Sequence, residues 1–537
     1  MTYVVLVADK VADAGLQVLQ QCEEFEVVVA AGDREKFRME LPRAHGLLVR
    51  SDTRVSADVI EVADNLRVIG RAGIGVDNID LAAATRRGIP VLNAPSANTI
   101  SAAEHTMALL LGLVRRIPWA VDSMRRGEWD RKAFSGIELR GKTMGVLGLG
   151  RVGRHMAGIA RAFGMDVVAH DPFLSEQRAK SLDVVLVPLD DLLRAADVVT
   201  LHLPLTDKTR NTIDREQLAL MKSGAMLINT ARGGLVNEEA LVEALADGTI
   251  YGAAVDVFGE EPLPAASPLR QSERLILTPH LAASTVEAQE RVGVEICIAI
   301  RDVLLTGDVG GAVNVAGVSS VVMAHLRPLL ELARRIGRLC ATISGGRVEA
   351  IEVQYGGSDE DAPRPVELAA VEGALGAMGV GRVTLVNAMP VATDRGIALS
   401  RRVGGPLAGF ETTLSVTVRT ADKTTTVTGA LVGDRVRVGR IIRIDGFVVD
   451  VPAEGFILVL WNRDVPGVIG KVGTILGEAA TNIGSYHQSR RAGDSGPGAL
   501  AAIIVDQPPD REVIERLQAL PDVLKVWVAD LNGSPER

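Results

Sequence analysis

The sequence predicts an α/β protein with two doubly wound parallel-sheet units, then an α+β unit, then a small ferredoxin-like unit. Short apolar runs alternate with helix-period segments up to about residue 316, as βαβ units around a parallel sheet do. At 537 residues the chain is also too long for one hydrophobic core. From Gly455 onward the order becomes strand, helix, strand, strand, helix, strand, the βαββαβ plan.

In the first unit the expected strands are Val4–Ala8, Glu26–Ala30, Gly46–Arg50, Leu66–Arg71 and Pro90–Asn93, with amphipathic helices at Ala12–Gln21 and Ala57–Ala63. A long helix is expected over Ser101–Arg115. The second unit starts with strand Lys142–Leu149, helix His155–Phe163 and strand Asp166–His170; Val198–Leu203, Ala225–Asn229, Ala253–Val257 and Leu275–Thr278 add further strands. Such apolar runs suit strands buried on both faces. Val286–Leu305 reads as a helix leading into Ala312–Val315. Next come a helix over Ser319–Ile343 and alternating strands at Val348–Tyr355 and Thr413–Val418, with a polar loop, Asp359–Pro365, between them. The last unit reads Phe456–Trp461, Gly467–Ala480, Gly484–Arg490, Leu500–Val505, Arg511–Leu520 and Leu524–Asp530.

Hydrophobic content of 47% and charged content of 23% are those of a soluble globular protein. The net charge of −9, with no basic tail or stripe, argues against a nucleic-acid partner. An anionic small molecule would need a local cluster of arginines instead. Cys22, Cys297 and Cys340 follow no metal-ligand or CxxC spacing and read as thiols in a reducing compartment; no metal site is expected. MTYVVLVADK reads as a strand rather than a secretory signal. No apolar run approaches the ~18–20 residues that span a bilayer. The expectation is a cytoplasmic protein without a membrane partner.

The run GKTMGVLGLGRVGRHMAGIARAFGMDVVAHDP holds Gly148-x-Gly150-x-x-Gly153. Among 55 glycines such spacing alone is weak. Here a strand leads in, a helix leads out, and a second strand ends at Asp171, close to the ~20 residues of a dinucleotide-binding fingerprint. Gly148 would make the tight turn, Gly150 would admit a pyrophosphate to the backbone, and Gly153 would let helix and strand pack. The helix N-terminus offers N–H groups to the phosphates. An acid at Asp171 accepts ribose hydroxyls and repels a 2′-phosphate, which favours NAD over NADP.

Removing hydride from a hydroxyl carbon needs a base, a group that holds the base, and a cation for a neighbouring carboxylate. Arg232 in INTARGGLVNE, Glu261 in AVDVFGEEP and His280 in LILTPHLAAST are candidates near expected strand ends, where open α/β sheets bind ligands. A guanidinium grips a carboxylate with two parallel hydrogen bonds. Glu261 on one ring nitrogen would fix the His280 tautomer and leave the other nitrogen to exchange a proton. Arg50 in LLVRSDTRV, Arg71, and the Gly73-Ile74-Gly75 turn could add an anion nest.

Together, Gly148–Gly153, NTARGGLV, DVFGEEP and TPHLAAST resemble the signature series of the D-isomer-specific 2-hydroxyacid dehydrogenases. The resemblance implies Arg232 as carboxylate anchor, His280 as acid/base, and Glu261 as its partner, because the family acid stands directly before proline. It also implies Arg151, Val152, His202, Leu203, Pro204, Thr209, Thr230, Ala231 and Asp256 along the cofactor. RAGIGVDN, NAPSANTISAAE and GEWDRKAFSGIEL are similar to the phosphoglycerate dehydrogenase branch. That branch implies D-3-phosphoglycerate as substrate, held by Arg50, Ser51, Arg71, Gly73, Ile74, Gly75 and Asn98, with Arg131 reaching the phosphate, from a neighbouring subunit if not its own. A dianionic phosphate needs more than one cation, which supports the branch.

The stretch WNRDVPGVIGKVGTILGEAATNIGSYHQSR is similar to an ACT domain, a module that binds amino acids. Asn462, Asp464 and Asn482 match positions that hold L-serine in the long members of the branch, and a homotetramer is implied by the same similarity. The expected domains are a substrate domain (1–97 with 284–316), an NAD-binding domain (98–283), an intervening domain (317–452) and an ACT domain (453–537). Three rivals remain open: another 2-hydroxy acid as substrate, a non-catalytic NAD-binding regulator, and a tail that serves assembly only.

Overall fold

The first sheet is built from five parallel strands in the order Phe25–Val29, Tyr3–Val7, Gly46–Val49, Val68–Arg71, Val91–Asn93. The structure, a computed structural model, describes residues 2–315, 320–433, 437–490 and 498–533. Val5, Leu6, Leu47, Leu48, Val68 and Ile69 are fully buried, because helices cover both faces. One of those helices, Val286–Thr306, returns from far along the chain. Its close approach depends on small residues: a Cβ on Gly15 would lie 2.5 Å from the Gly293 carbonyl carbon, and one on Gly70 would lie 2.5 Å from Ile300 Cδ1.

The second sheet has seven strands, all parallel, in the order Leu275–Leu277, Gly252–Val255, Met226–Asn229, Val198–Leu201, Thr143–Leu147, Asp166–His170, Val185–Leu186. The sequence order reverses between Val198–Leu201 and Thr143–Leu147. A crevice opens at such a switch point, beyond the carboxyl ends of the strands.

The chain passes between these sheets twice, and the two passages are tied together. Ser101 Oγ donates to the Ala282 carbonyl at 2.7 Å, Arg291 Nε to the Ala97 carbonyl at 3.0 Å, and Ser96 Oγ to Glu295 at 2.8 Å.

The third sheet is mixed, in the order Ala398–Gly404, Val348–Gly356, Thr413–Thr420, Thr424–Val432, Val438–Ile444, Phe447–Pro452. Helices Ser320–Ser344 and Pro363–Ala377 lie together, and the longer one packs on the sheet. The expected polar loop Asp359–Pro365 is shorter than the sequence suggested, because the second helix starts at Pro363. Proline has no N–H to lose in a first helical turn and its fixed φ suits that position. The expected boundary between residues 316 and 317 lies outside the described residues.

The fourth sheet is antiparallel, in the order Ile483–Arg490, Gly498–Val505, Phe456–Arg463, Val523–Asp530, with helices Val468–Glu478 and Arg511–Gln518. This is the βαββαβ plan. Among the described residues no helix is long and apolar enough to cross a membrane.

Candidate active site

The glycine loop sits at the switch point. Gly148 follows strand Thr143–Leu147 with φ +91°, and a Cβ there would lie 2.7 Å from the His202 carbonyl oxygen. A Cβ on Gly153 would lie 2.0 Å from the Gly148 carbonyl oxygen, so only glycine allows this helix to start so close to its strand. Gly150 is the N-cap of helix Arg151–Ala162, with no side-chain cap and open space beside its Cα. Free N–H groups facing open space at a helix start fit a pyrophosphate. Arg151 and Val152 form the first turn. Asp171 accepts from the N–H of Leu149 at 2.9 Å and of Phe173 at 3.0 Å, which holds the acid against the loop.

Further along the crevice, burial pushes His202 down to about 4, so its ring is neutral; its Nε2 lies 3.0 Å from Thr200 Oγ1. Leu203 and Pro204 follow, and Thr209 Oγ1 donates to the Pro204 carbonyl at 2.6 Å. Thr230 is buried, 2.7 Å from Thr106 Oγ1.

Adjacent strands of the second sheet deliver the acid/base candidates. Strand Met226–Asn229 leads to Arg232, and buried Asn229 locks that turn by accepting from Ala231 N at 3.1 Å and donating to the Arg232 carbonyl at 2.9 Å. A Cβ on Gly233 would lie 1.9 Å from the Phe258 carbonyl oxygen. This turn therefore rests directly on the loop that carries Glu261. Glu261 Oε1 accepts from Phe258 N at 3.0 Å, and Oε2 lies 2.8 Å from His280 Nδ1. Burial raises the Glu261 pKa, but the hydrogen bonds from His280 and Phe258 outweigh it and hold the carboxyl below its ordinary value. The pair is open to the cleft, with side chains 43% and 37% exposed for His280 and Glu261. No hydrogen bond among the described residues reaches His280 Nε2.

His280 has φ +53°, uncommon for a side chain of its size. Asp256 holds it there. The His280 N–H donates to the Asp256 carbonyl at 2.9 Å. The fully buried Asp256 carboxylate accepts from Thr278 Oγ1 (2.6 Å), Leu281 N (2.8 Å) and Ala282 N (2.9 Å), with His105 Nε2 at 3.2 Å. Burial raises the Asp256 pKa, yet these donors leave it below the ordinary value. Asp256, implied by resemblance as a cofactor neighbour, thus uses its carboxylate to shape the loop around His280.

The first sheet supplies the opposite wall. Arg50 follows strand Gly46–Val49 and donates to the Lys10 carbonyl at 3.2 Å, while Ser51 bonds to Asp52 at 3.2 Å. Arg71 ends its strand beside Gly73, which has φ +154° and accommodates the guanidinium where a Cβ would collide with it. The Ile74 carbonyl accepts from Asn93. Burial first, and then the charge of Arg232, lowers the Arg71 pKa to about 10. Arg71 Nε and Asn98 Oδ1 are buried without a hydrogen-bond partner among the described residues. Such orphans are costly in a native fold and mark places where a ligand completes the bonding. Arg232 closes the group: its Nε lies 3.3 Å from Asp77 of the opposite wall, over Gly75.

Arg131 is exposed, and no hydrogen bond or ion pair among the described residues joins it to this group. In the fourth sheet, Asn462 is buried and donates to the Arg463 carbonyl at 2.8 Å. Asp464 pairs with Arg490 at 2.6 Å, and Asn482 donates to Asp506 at 2.8 Å. Sequence reasoning passed over Asp77, although it lies within the quoted RAGIGVDN motif. It also missed His105, whose helical surroundings gave no sign of its distant carboxylate.

Comparison with known proteins agrees with this geometry. The family model described as D-isomer specific 2-hydroxyacid dehydrogenase, NAD binding domain, matches residues 107–282; D-3-phosphoglycerate dehydrogenase intervening domain matches 325–445; and ACT domain matches 456–522. A D-3-phosphoglycerate dehydrogenase of Synechocystis is 41% identical over 94% of this chain and 91% of its own. Those of Archaeoglobus fulgidus and Mycobacterium tuberculosis are 39% and 41% identical over 98% of this chain, covering 100% and 99% of theirs. Among solved structures, an NAD-dependent formate dehydrogenase of Staphylococcus aureus in complex with NAD superposes with TM-score 0.51 and 30% identity, over 57% of this chain and 96% of that one. A D-lactate dehydrogenase of Aquifex aeolicus with NAD and lactic acid gives TM-score 0.50 and 29% identity, over 56% and 95%.

Proposed function

Because this chain belongs to the D-3-phosphoglycerate dehydrogenases, within the D-isomer-specific 2-hydroxyacid dehydrogenases, we propose that it oxidises D-3-phosphoglycerate to 3-phosphohydroxypyruvate, the step that opens L-serine synthesis. One observation carries the reading. A partnered imidazole stands on one wall of the cleft, the orphaned guanidinium of Arg71 stands on the other near Arg50 and Arg232, and orphaned Asn98 is the N-cap residue of helix Thr99–Val114.

NAD, when bound, supplies the acceptor for the hydride leaving C2. The glycine loop with Arg151 and Val152 would hold its pyrophosphate, Asp171 its ribose, and His202–Pro204, Thr209, Thr230 and Ala231 would line its path, with the fully buried Asp256 acting through the loop around His280. Arg232 anchors the substrate carboxylate. Arg50, Ser51, Arg71, Asn98 and the Gly73–Gly75 turn take the remaining negative charge. His280 Nε2 receives the hydroxyl proton, and ionised Glu261 stabilises the resulting imidazolium through Nδ1–H.

A homo-oligomer, with four copies as the expected number, accounts for two exposed features. Helix Ile117–Arg125 presents Ile117, Val121 and Met124 to solvent, and Trp129 beyond it is 78% exposed. Arg131 in the same segment would then reach a neighbouring cleft. The ACT unit would bind L-serine at Asn462, Asp464 and Asn482 across an interface between copies. Free thiols at Cys22, Cys297 and Cys340 suit the cytoplasm.

The test is NAD reduction by the purified protein on D-3-phosphoglycerate, on D-glycerate and D-lactate, with and without L-serine. Preference for the phosphorylated acid, lowered by serine, is expected. Preference for an unphosphorylated acid would overturn the substrate.

A further inference from the structure

Arg232 is held from across the cleft. Asp77 lies in the turn between strand Val68–Arg71 and helix Leu81–Arg86, on the first sheet, whereas Arg232 belongs to the second. The Asp77 carboxylate lies 3.3 Å from Arg232 Nε. Both groups rest on Gly75, where a Cβ would lie 2.2 Å from Arg232 Nη2 and 2.9 Å from Asp77 Oδ2. Nη1 donates to the Ala231 carbonyl at 2.6 Å. The turn is itself fixed, since Asn78 Nδ2 donates to the carbonyls of Arg50 and Thr53 at 2.6 Å each.

A guanidinium among other cations tends to swing toward water. Arg71 faces Arg232 and Arg50, and the acids opposing that repulsion are Asp77 and Asp9. Asp9 is committed elsewhere, accepting from Thr53 and from Arg50 N. Asp77 is 71% exposed on its side chain, so its ion pair adds little to stability. What it controls is direction. With Nε beside Asp77 and one Nη1 hydrogen on the Ala231 carbonyl, the remaining hydrogens of Nη1 and Nη2 are those left for a carboxylate in the two-point geometry that arginine favours.

Resting on the functional reading above, we propose that Asp77 is a positioning residue for the carboxylate anchor: it holds Arg232 by Nε across the cleft and turns the fork toward the substrate. The opposing possibility is that Asp77 is a place-holder that a substrate carboxylate must displace. The two predict opposite signs.

The experiment uses the full chain with Asp77→Asn and Asp77→Glu. Steady-state rates are taken with D-3-phosphoglycerate and NAD. In parallel, oxalate is titrated into NADH-loaded protein and followed by NADH fluorescence, a readout that needs no turnover. Asp77→Asn should raise KM and the oxalate Kd together by about twofold to fivefold, the range for one partly exposed ion pair. The fall in kcat should be smaller, NAD affinity should hold, and Asp77→Glu should recover part of the loss. Unchanged or tighter oxalate binding in Asp77→Asn overturns the proposal. If the parent protein binds oxalate but does not turn over D-3-phosphoglycerate, the substrate reading fails while the role of Asp77 is still decided by the oxalate titration.

Discussion

In the cleft between the first two sheets, Arg71 Nε and Asn98 Oδ1 are buried without partners, whereas in the fourth sheet Asp464 is held by Arg490 at 2.6 Å and Asn482 by Asp506 at 2.8 Å. An orphaned buried polar group costs about 1–3 kcal/mol. An anion lets Arg71 Nε recover that cost by donating to it, whereas Asn98 Oδ1, an acceptor, is satisfied only by a donor such as a ligand hydroxyl. In the fourth sheet Asp464 and Asn482 already have partners, and the buried orphan is Gln488 Oε1 instead. A ligand there must compete with Arg490 and Asp506, or a second copy must rearrange them. The first design favours fast capture of a substrate, and the second favours coupling to a change of state.

Several substitutions break or sharpen that contrast. The largest effect belongs to His280→Ala, which should cut kcat by about 10²–10⁴, the share of a positioned acid/base; NADH formation measures it, and an unchanged kcat removes His280 from the mechanism. Next is Arg71→Met, which fills the same space without the charge. KM for D-3-phosphoglycerate should rise by about tenfold to a hundredfold, while D-glycerate, lacking the phosphate, should respond much less. An equal loss on both acids would show that Arg71 does not read the phosphate. Arg490→Ala frees Asp464 and should tighten serine inhibition by up to about fivefold, the worth of an exposed ion pair. An unmoved inhibition curve would separate Asp464 from the effector site.

The effect furthest from turnover concerns His202. Its folded value of about 4 lies below the ordinary 6.5, so folding favours the neutral ring. That stabilisation is complete above 6.5 and is lost progressively as the pH falls toward 4. Urea midpoints at neutral pH and at about pH 5 should therefore converge in His202→Asn relative to the parent. Equal pH dependence in both proteins would refute the assignment.

The cofactor crevice was legible because its chemistry constrains backbone: Gly148 and Gly153 are required where carbonyls crowd, and Asp171 stands at the next strand end. Glu261 and His280 were legible through their motifs and strand-end placement. His105 was not, because its meaning depends on Asp256, far along the chain, and an amphipathic pattern does not reveal pairing. Edge strand Ala398–Gly404 was hidden for another reason. It has no buried face, so Arg401 and Arg402 stand in place of the alternation that marks a strand. The proline-rich start of helix Pro363–Ala377 imitated a loop, since proline signals both.

The paired passages between the first two sheets have a mechanical consequence. Ser101 with Ala282, Arg291 with Ala97, and Ser96 with Glu295 lash two backbone segments into one pivot. Two segments pinned at three points resist twisting against each other. The spacing between the wall that carries Asp77 and the wall that carries Arg232 is therefore set by these cross-links as well as by the 3.3 Å contact itself.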